Sequence, residues 1–291
     1  MDRVDYHIHY YLDACADAEM TFPNIEDTAV AVGLSEIAVL KHYSHALPNG
    51  KADWAAWHTV RPGQFERFLA EYHAFVPKAR LPIYAGVETE LVDDLGTINI
   101  PEADLERIHL AALSVHYLPR MSCMETPLLY HPRMQRAVLA QDLEAKAAYE
   151  AWLAQAERIG PAAFVEGLVE GYVRAIRRHP KVRLLSHLYD GLLPLRDAGI
   201  ACDALPKATL VSLFEPLMRV MVERSVLWEL LPEPVPHPEI LRRANDLGVR
   251  FLATADAHSI RGGWGNLVDH DKAERFLDEL GLQRGRVRFP A

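Results

Sequence analysis

The sequence predicts an α/β protein whose parallel strands form a closed or nearly closed barrel. Seven short apolar segments alternate with segments of helical period, and strands that alternate with helices form parallel sheets. The 291 residues suit a single α/β barrel. Six of the seven apolar segments have histidine, aspartate or glutamate at or just beyond their carboxyl end, and α/β barrels assemble their sites at that end of the strands.

The predicted strands are apolar runs bounded by turn residues, prolines or charged groups. They cover residues 4–9, 36–40, 83–87, 108–115, 182–186, 225–229 and 249–254. The proline-rich stretch 232–238 forbids further strand pairing after the sixth strand. Segments 43–64 and 117–135 contain Pro with Gly or Met, and we expect them to be loops at the mouth of the barrel.

The predicted helices have apolar residues at helical spacing. In the first, Ile25, Ala29 and Val32 lie on one face, and Gly33 ends the helix. The others cover about 64–76, 142–158, 161–178, 206–223, 238–248 and 270–280. Because no repeat, low-complexity tract or domain boundary is evident, residues 1–291 are predicted to form a single domain.

Composition excludes some classes of partner. The net charge of −9 argues against a nucleic-acid-binding protein, which needs a basic surface. Three cysteines without a CxxC pair, Cys15, Cys123 and Cys202, are typical of a reducing compartment. No basic leader precedes an apolar run, and no apolar stretch approaches 18 residues. We therefore expect a cytoplasmic protein without a membrane partner, and the oligomeric state is left open.

The polar residues at the strand ends predict a metal site. His7 and His9 are two apart on a strand, so both imidazoles point to the same side. The later strands end at or just before His42, Glu88, His116, His187, Asp256 and His258. Six neutral nitrogens with at least two carboxylates exceed the four ligands of one structural zinc. This set is typical of a polynuclear centre, whose chemistry is hydrolysis by a metal-activated hydroxide.

These residues occur in motifs that follow one another over residues 5–258. The motifs are Asp5-x-His7-x-His9, Lys41-His42, Gly86-Val-Glu88, Ser114-Val-His116-Tyr117-Leu118, Ser186-His187-Leu188 and Ala255-Asp256-Ala-His258. In this order they resemble the motifs of the polymerase and histidinol phosphatase (PHP) superfamily. The resemblance implies a distorted (β/α)7 TIM-like barrel, two to three divalent zinc, manganese or iron ions, and phosphoester hydrolysis.

The resemblance also implies a set of metal ligands: His7, His9, His42, Glu88, His116, His187, Asp256 and His258. A further ligand is expected in the loop after the first strand, where family members have His or Asp. Asp17 is our choice, and Asp13 is the alternative. Cys15 and Cys123 lie near strand ends but are not taken as ligands.

The expected substrate is a small phosphorylated metabolite. Ser114 to Leu118 is similar to the histidinol-phosphatase branch, but Glu229 is followed by Leu230 and Leu231 where that branch commonly has an Asn. Histidinol phosphate itself therefore stays open. Asp256 and His258 are the candidate catalytic residues for proton transfer, and Arg261 is the candidate for binding the phosphate. Glu90 is either a carboxylate that supports a ligand or a solvated loop residue.

Two other classes compete with a phosphoesterase. Amidohydrolases also have His-x-His on a first barrel strand, but they commonly have a carboxylated lysine from a central strand. The only lysine at a strand end here is Lys41, whereas Glu88 occupies the third strand. The second alternative is a metal-bearing regulatory protein without turnover, because a complete ligand set does not prove catalysis.

Overall fold

The structure is a computed structural model. It describes residues 3–43, 63–116, 119–122, 143–188, 192, 196, 200–232, 237–263 and 265–289. Most of the predicted loops 43–64 and 117–135 lie outside the described residues, as do Cys123 and Tyr117.

Seven parallel strands form one sheet in the order of the sequence. They are β1 Val4–His9, β2 Glu36–Tyr43, β3 Ile83–Glu90, β4 Leu110–Ser114, β5 Val182–Leu185, β6 Leu227–Leu230 and β7 Arg250–Ala253. Just beyond β7, Ala257 pairs with Ile8 in a parallel bridge. The His9 N–H donates to the Ala257 carbonyl at 2.8 Å, and the Ala257 N–H donates to the His7 carbonyl at 3.1 Å. The predicted barrel of parallel strands is thereby confirmed.

Helices connect the strands on the outside of the barrel. They are α1 Phe22–Ala31, α2 Gln64–Phe75, α3 Glu102–Leu105, α4 Leu143–Ile159, α5 Pro161–Arg178, α6 Lys207–Arg224, α7 Pro238–Leu247 and α8 His270–Glu279. Among the helices of the described residues, only the four-residue α3 has no counterpart in the prediction. Within the described part of the chain, no helix has the length and apolar character needed to cross a membrane.

The barrel interior contains a compact apolar layer near the amino ends of the strands. Its buried members are Val4, Tyr6, Ala38, Leu40, Leu110, Ala112, Leu184, Leu227, Leu252 and Val287. A larger core lies between the sheet and the helices and includes Ile8, Ile37, Val39, Ala85 and Val87. Because side chains alternate along a strand, His42, Glu88 and Glu229 continue the inward face beyond the apolar layer.

A register irregularity in β1 sets the direction of its two histidines. The pairing of β1 with β2 shifts between Asp5 and Ile8, as at a β-bulge. Tyr6, within the irregular segment, packs in the interior layer, whereas Ile8 packs in the outer core. The bulge therefore lets the inward face pass from Tyr6 to His7 and His9.

The last described segment closes the amino-terminal mouth of the barrel. The Phe251 N–H donates to the Gln283 carbonyl at 2.9 Å, and the Gly285 N–H donates to the Phe251 carbonyl at 2.8 Å. Beyond this pairing, Val287 joins the interior layer. Phe289 stacks on Tyr84 with ring centroids 3.6 Å apart. The segment 282–289 is thus a plug, which we call the carboxyl-terminal plug.

Candidate metal centre

At the carboxyl ends of the strands, eight of the nine predicted ligands lie in one cluster of histidines and carboxylates. The structure places their potential ligand atoms in three groups, and within each group all of these atoms lie within 4.8 Å of one another. The groups are His7 with His9 and Asp256, Glu88 with His116 and His187, and His9 with Cys15, His42 and His258. The cluster collects side chains from β1, β2 and β3 and from the segments just beyond β4, β5 and β7.

The first group brings three potential ligand atoms close together. His7 Nε2 and His9 Nε2 are 3.1 Å apart, and Asp256 Oδ1 lies 3.2 Å from each. Asp256 Oδ1 is nevertheless a buried atom without a hydrogen-bond partner among the described residues. Ligands at about 2.1 Å from a tetrahedral cation lie about 3.4 Å apart. The spacing and the unsatisfied oxygen therefore fit a bound cation.

Glu88 connects the first group to the other two. Its Oε1 lies 2.9 Å from His187 Nε2 and 3.6 Å from His116 Nε2. Its Oε2 lies 3.3 Å from His9 Nε2 and 3.1 Å from His42 Nδ1. Because each oxygen faces a different set of histidines, Glu88 has the arrangement of a carboxylate that bridges two metal ions.

Cys15, rather than Asp17, is part of the third group. Half-buried Cys15 is grouped with His9, His42 and His258. The rings of His42 and His258 stack on the ring of His9, with centroid distances of 4.3 and 4.0 Å. Asp17 is exposed and belongs to none of the three groups found among the described residues. Its backbone N–H donates to the His258 carbonyl at 2.8 Å. The prediction of Asp17 as a ligand stays untested, and this placement favours the neighbouring thiol.

Asp13, the alternative to Asp17, lies next to the ring nitrogen of His9 that points away from the other ligand atoms. It is 1% exposed, and its Oδ2 is 3.3 Å from His9 Nδ1. It also accepts the His42 N–H at 3.1 Å and forms an ion pair with buried Lys41. Asp13 therefore orients His9 from the ring nitrogen that faces away from His7 and Asp256.

Two further buried carboxylates orient histidines in the same manner. Glu229 Oε1 is 2.7 Å from His7 Nδ1 and accepts the Thr254 hydroxyl at 2.6 Å, while Glu229 Oε2 accepts the His187 N–H at 2.7 Å. Glu90 bonds His116 Nδ1 and accepts its N–H at 2.9 Å. Such carboxylates fix the tautomer and raise the basicity of a ligating histidine. The geometry therefore favours the interpretation of Glu90 as a carboxylate that supports a ligand over that of a solvated loop residue.

The carboxylates dominate the electrostatics of the cluster. Burial acts to lower the pKa of His7, but Glu229, Asp256 and Glu88 outweigh it and raise that pKa well above its ordinary value. Burial acts to raise the pKa of Glu88, but His116, His7 and His42 hold it well below the usual range. His258 differs, because burial and the neighbouring His9 lower its pKa to about 4. The pocket therefore favours positive charge, which divalent cations would supply.

The backbone is unusual at two residues of the cluster. His187 and Asp256 have positive φ angles of 29° and 44°, a region that residues other than glycine rarely adopt. A side chain on Gly265 would collide with the Asp256 carbonyl, so glycine permits the approach of this loop. Positive φ angles in non-glycine residues concentrate at functional sites.

Arg261 lies outside the cluster. It is exposed on the segment after His258, in a loop held by Asn266. The Asn266 Oδ1 accepts the Ser259 hydroxyl at 2.8 Å and the Gly263 N–H at 3.1 Å. The assignment of Arg261 to a phosphate stays a prediction.

Comparison with known proteins was informative only at the level of structure. No family model matches the chain, and no curated protein matches it. A histidinol phosphate phosphatase from Lactococcus lactis subsp. lactis Il1403, solved with zinc, L-histidinol and phosphate, is 13% identical with a TM-score of 0.57 over 97% of this chain and 95% of that one. A histidinol phosphatase described as putative, from Listeria monocytogenes, is 14% identical with a TM-score of 0.60 over 89% and 96%.

These similarities agree with the motifs in the sequence. They extend over nearly the full length of both chains, and they show a shared fold. The chain therefore has the distorted seven-stranded TIM-like barrel of the histidinol phosphatase structures, as its resemblance to the PHP superfamily implied.

Proposed function

We propose that the protein is a metal-dependent phosphoesterase that hydrolyses a small phosphorylated metabolite. The observation that carries the proposal is Glu88, whose two oxygens face separate sets of histidines. A bridging carboxylate is typical of centres with two or more cations. Two to three zinc, manganese or iron ions bound there would supply an activated water and polarise the phosphoester.

The residues that would hold these ions are His7, His9, His42, Glu88, His116, His187, Asp256 and His258, with Cys15 or Asp17 as a ninth ligand. The outer carboxylates Asp13, Glu90 and Glu229 keep the ring nitrogens of His9, His116 and His7 in place. Because this framework exists before substrate arrives, the centre needs little reorganisation during the reaction.

Asp256 and His258 are the groups we assign to proton transfer. Asp256 Oδ1 is buried without a hydrogen bond within the described structure, and the nearby histidines lower the pKa of this carboxyl despite its burial. An ionised carboxylate can accept a proton from the attacking water, and a neutral imidazole can relay it. Arg261 would bind the oxygens of the phosphate that point away from the ions.

Two features support a phosphoesterase over an amidohydrolase. Lys41, the only lysine at the carboxyl end of a described strand, is buried in an ion pair with Asp13. Its Nζ also donates to the His42 carbonyl at 3.2 Å. A lysine committed to these contacts has no free amine for carboxylation. The fold similarity to histidinol phosphatases further supports the phosphoester class.

The test combines metal analysis with phosphate release on one preparation. We expect two or three transition-metal ions per chain and turnover of histidinol phosphate or another phosphate monoester from a metabolite panel. Asp256→Asn should lower kcat by about 10²- to 10⁴-fold, whereas the charge-matched Asp246→Asn, at an exposed position of α7, should not change it. An inactive wild-type protein with a full metal complement would instead support the non-catalytic alternative.

A further inference from the structure

A second pocket lies at the amino-terminal mouth of the barrel, opposite the metal centre. It has a volume of about 760 Å³ and five arginines in its wall: Arg183, Arg250, Arg284, Arg286 and Arg288. No described acidic residue lines it. In a chain of net charge −9, so many arginines around one concave space make a local field opposite in sign to that of the whole molecule.

The carboxyl-terminal plug supplies three of the five arginines. In the sequence Arg-Gly-Arg-Val-Arg-Phe at 284–289, the arginines alternate with residues that pack inward. Val287 belongs to the interior layer and Phe289 stacks on Tyr84. A side chain on Gly285 would collide with Leu227 and Arg250, so glycine lets the plug approach the sheet. The same alternation that closes the barrel therefore places three arginines along the pocket.

The positive charge of the pocket is only partly neutralised. Arg284 pairs with Glu274 at 2.7 Å and Asp278 at 2.8 Å, and Arg286 pairs with Glu36 at 2.6 Å. Arg183, Arg250 and Arg288 form no ion pair with a described carboxylate, although Arg183 reaches the Arg224 carbonyl at 3.4 Å. Among the described residues, three of the five arginines therefore keep a positive charge that no carboxylate pairs with. Like charges held together favour a bound anion.

Much of the remainder of the wall is apolar. Met221, Val222, Val226, Leu227 and Val287 contribute to it. The volume falls within the roughly 300–1,000 Å³ of small-molecule sites and exceeds the size of a single phosphate ion. The pocket thus combines a cationic rim, which suits phosphate oxygens through bidentate guanidinium contacts, with a surface for an apolar group.

We propose that this pocket binds a small organic anion that carries two or more phosphate groups beside an apolar moiety, such as a nucleoside polyphosphate. A small molecule is favoured over a nucleic acid, because the net charge of −9 on the whole chain repels a long polyanion. The pocket lies at the opposite end of the barrel from the metal centre, so the assignment does not rest on the proposed hydrolase activity.

Calorimetric titration of the metal-loaded full chain tests the proposal, with magnesium ATP and magnesium tripolyphosphate as probes. The test variant is Arg250→Gln with Arg288→Gln. The matched control is Arg177→Gln with Arg242→Gln, two exposed arginines of α5 and α7 that do not line the pocket. We expect the test variant to weaken ATP binding about 10-fold or more and the control to match wild type. Contacts of either probe with the metal centre are the same in all three proteins.

The outcomes separate the assignments. Equal ATP affinity in wild type, test variant and control, or no binding at all, would overturn the site. Inorganic phosphate that binds as tightly as tripolyphosphate would overturn the requirement for several phosphates, and ATP that binds more tightly than tripolyphosphate supports the apolar contact. A single-stranded oligonucleotide whose binding needs the same arginines would overturn the small-molecule assignment. The single variant Arg288→Gln, exposed near the end of the chain, guards against a folding defect.

Discussion

Glu88 is the residue on which the integrity of the metal centre depends most. Its carboxylate is 2% exposed and contacts His9, His42 and His187 within 3.3 Å. Glu88→Gln keeps the shape but removes the charge and replaces one oxygen with an NH₂ group that cannot bind a cation. We expect the variant to lose at least one metal ion per chain and most of its turnover, as measured by elemental analysis and phosphate release.

Glu90 provides the matched control, because it is a glutamate two residues away on the same strand. It contacts His116 but belongs to none of the three described ligand groups. Glu90→Gln should weaken metal affinity by about 10- to 100-fold, as is usual for a partner of a ligating histidine, and excess metal should restore the ion count. If Glu90→Gln lost metal irreversibly while Glu88→Gln retained it, the bridging role of Glu88 would be wrong.

The two candidates for the ninth ligand, Cys15 and Asp17, can be distinguished by spectroscopy. A thiolate bound to Co²⁺ gives a charge-transfer band in the near ultraviolet, whereas a carboxylate does not. We expect this band in the cobalt-substituted protein, its loss in Cys15→Ser, and its persistence in Asp17→Asn. Cys202→Ser is the control, because Cys202 is buried with its thiol 3.5 Å from the Pro161 carbonyl. Absence of the band in the cobalt-substituted wild-type protein would favour Asp17 as the ninth ligand.

The difference between Cys15 and Asp17 marks a limit of sequence reasoning at this scale. Ligands that follow strands were predictable, since a strand fixes both the face and the end at which its last side chain lies. Residues 11–20 form turns and bends between β1 and α1, and no period there relates position to direction. Spacing from His9 or Gly33 could not tell which of Asp13, Cys15 and Asp17 faces the centre.

At the scale of elements, β3 has to approach its neighbours closely in order to place Glu88. Gly86 lies on the same face, two residues before Glu88. A Cβ at this position would lie 2.5 Å from Leu40 Cδ2 and 2.9 Å from the Leu110 carbonyl oxygen. The Leu110 oxygen belongs to the backbone of a paired strand, so it cannot move without disturbing the sheet. Glycine is therefore required for packing rather than for a special backbone angle.

We expect Gly86→Ala to lower the free energy of unfolding by about 1–3 kcal/mol, the usual cost of overpacking a core. Gly167→Ala in α5 is the control, because its Cβ would meet only the flexible side chain of Met121, and alanine favours a helix by up to about 1 kcal/mol. Urea denaturation of the two variants measures the difference. Equal stabilities would show that β2 and β4 can separate from β3 at little cost.

The elements differ in how far the sequence could define them. Helix α5 was predicted as 161–178 and is observed as Pro161–Arg178, because its period and its initial proline both mark it. The bulge of β1 could not be predicted, since Tyr6 and His7 are both compatible with an inward position until the pairing with β2 is known. The short α3 has only four residues, too few to display a helical period.

The two ends of the barrel differ in the kind of residue that they carry. The carboxyl ends of the strands carry the histidines and carboxylates, whereas the amino ends carry the apolar layer and the plug. This division is common in α/β barrels, in which chemistry and stability are assigned to opposite faces. The plug was not predicted, because 282–289 lies after the last helix and its pairing with Phe251 is a contact between distant parts of the chain.

The plug allows the division to be tested. Val287 is 5% exposed in the interior layer, whereas Arg288 is exposed beside it. Val287→Ala should lower the free energy of unfolding by about 1–3 kcal/mol through lost burial and the cavity left behind. Arg288→Ala should leave stability within about 0.5 kcal/mol of wild type. Denaturation in urea measures both changes.

The number of metal ions per chain should be the same in both plug variants, because neither residue belongs to a described ligand group. Loss of metal in Val287→Ala under native conditions would contradict the separation, since it would mean that the apolar layer transmits a change at the base to the histidines above it. Equal stabilities of the two variants would contradict the inward position of Val287. We expect Val287→Ala to be less stable but to keep all of its metal ions. The other members of the interior layer, such as Leu40, Leu184 and Leu252, stay in place below the metal centre.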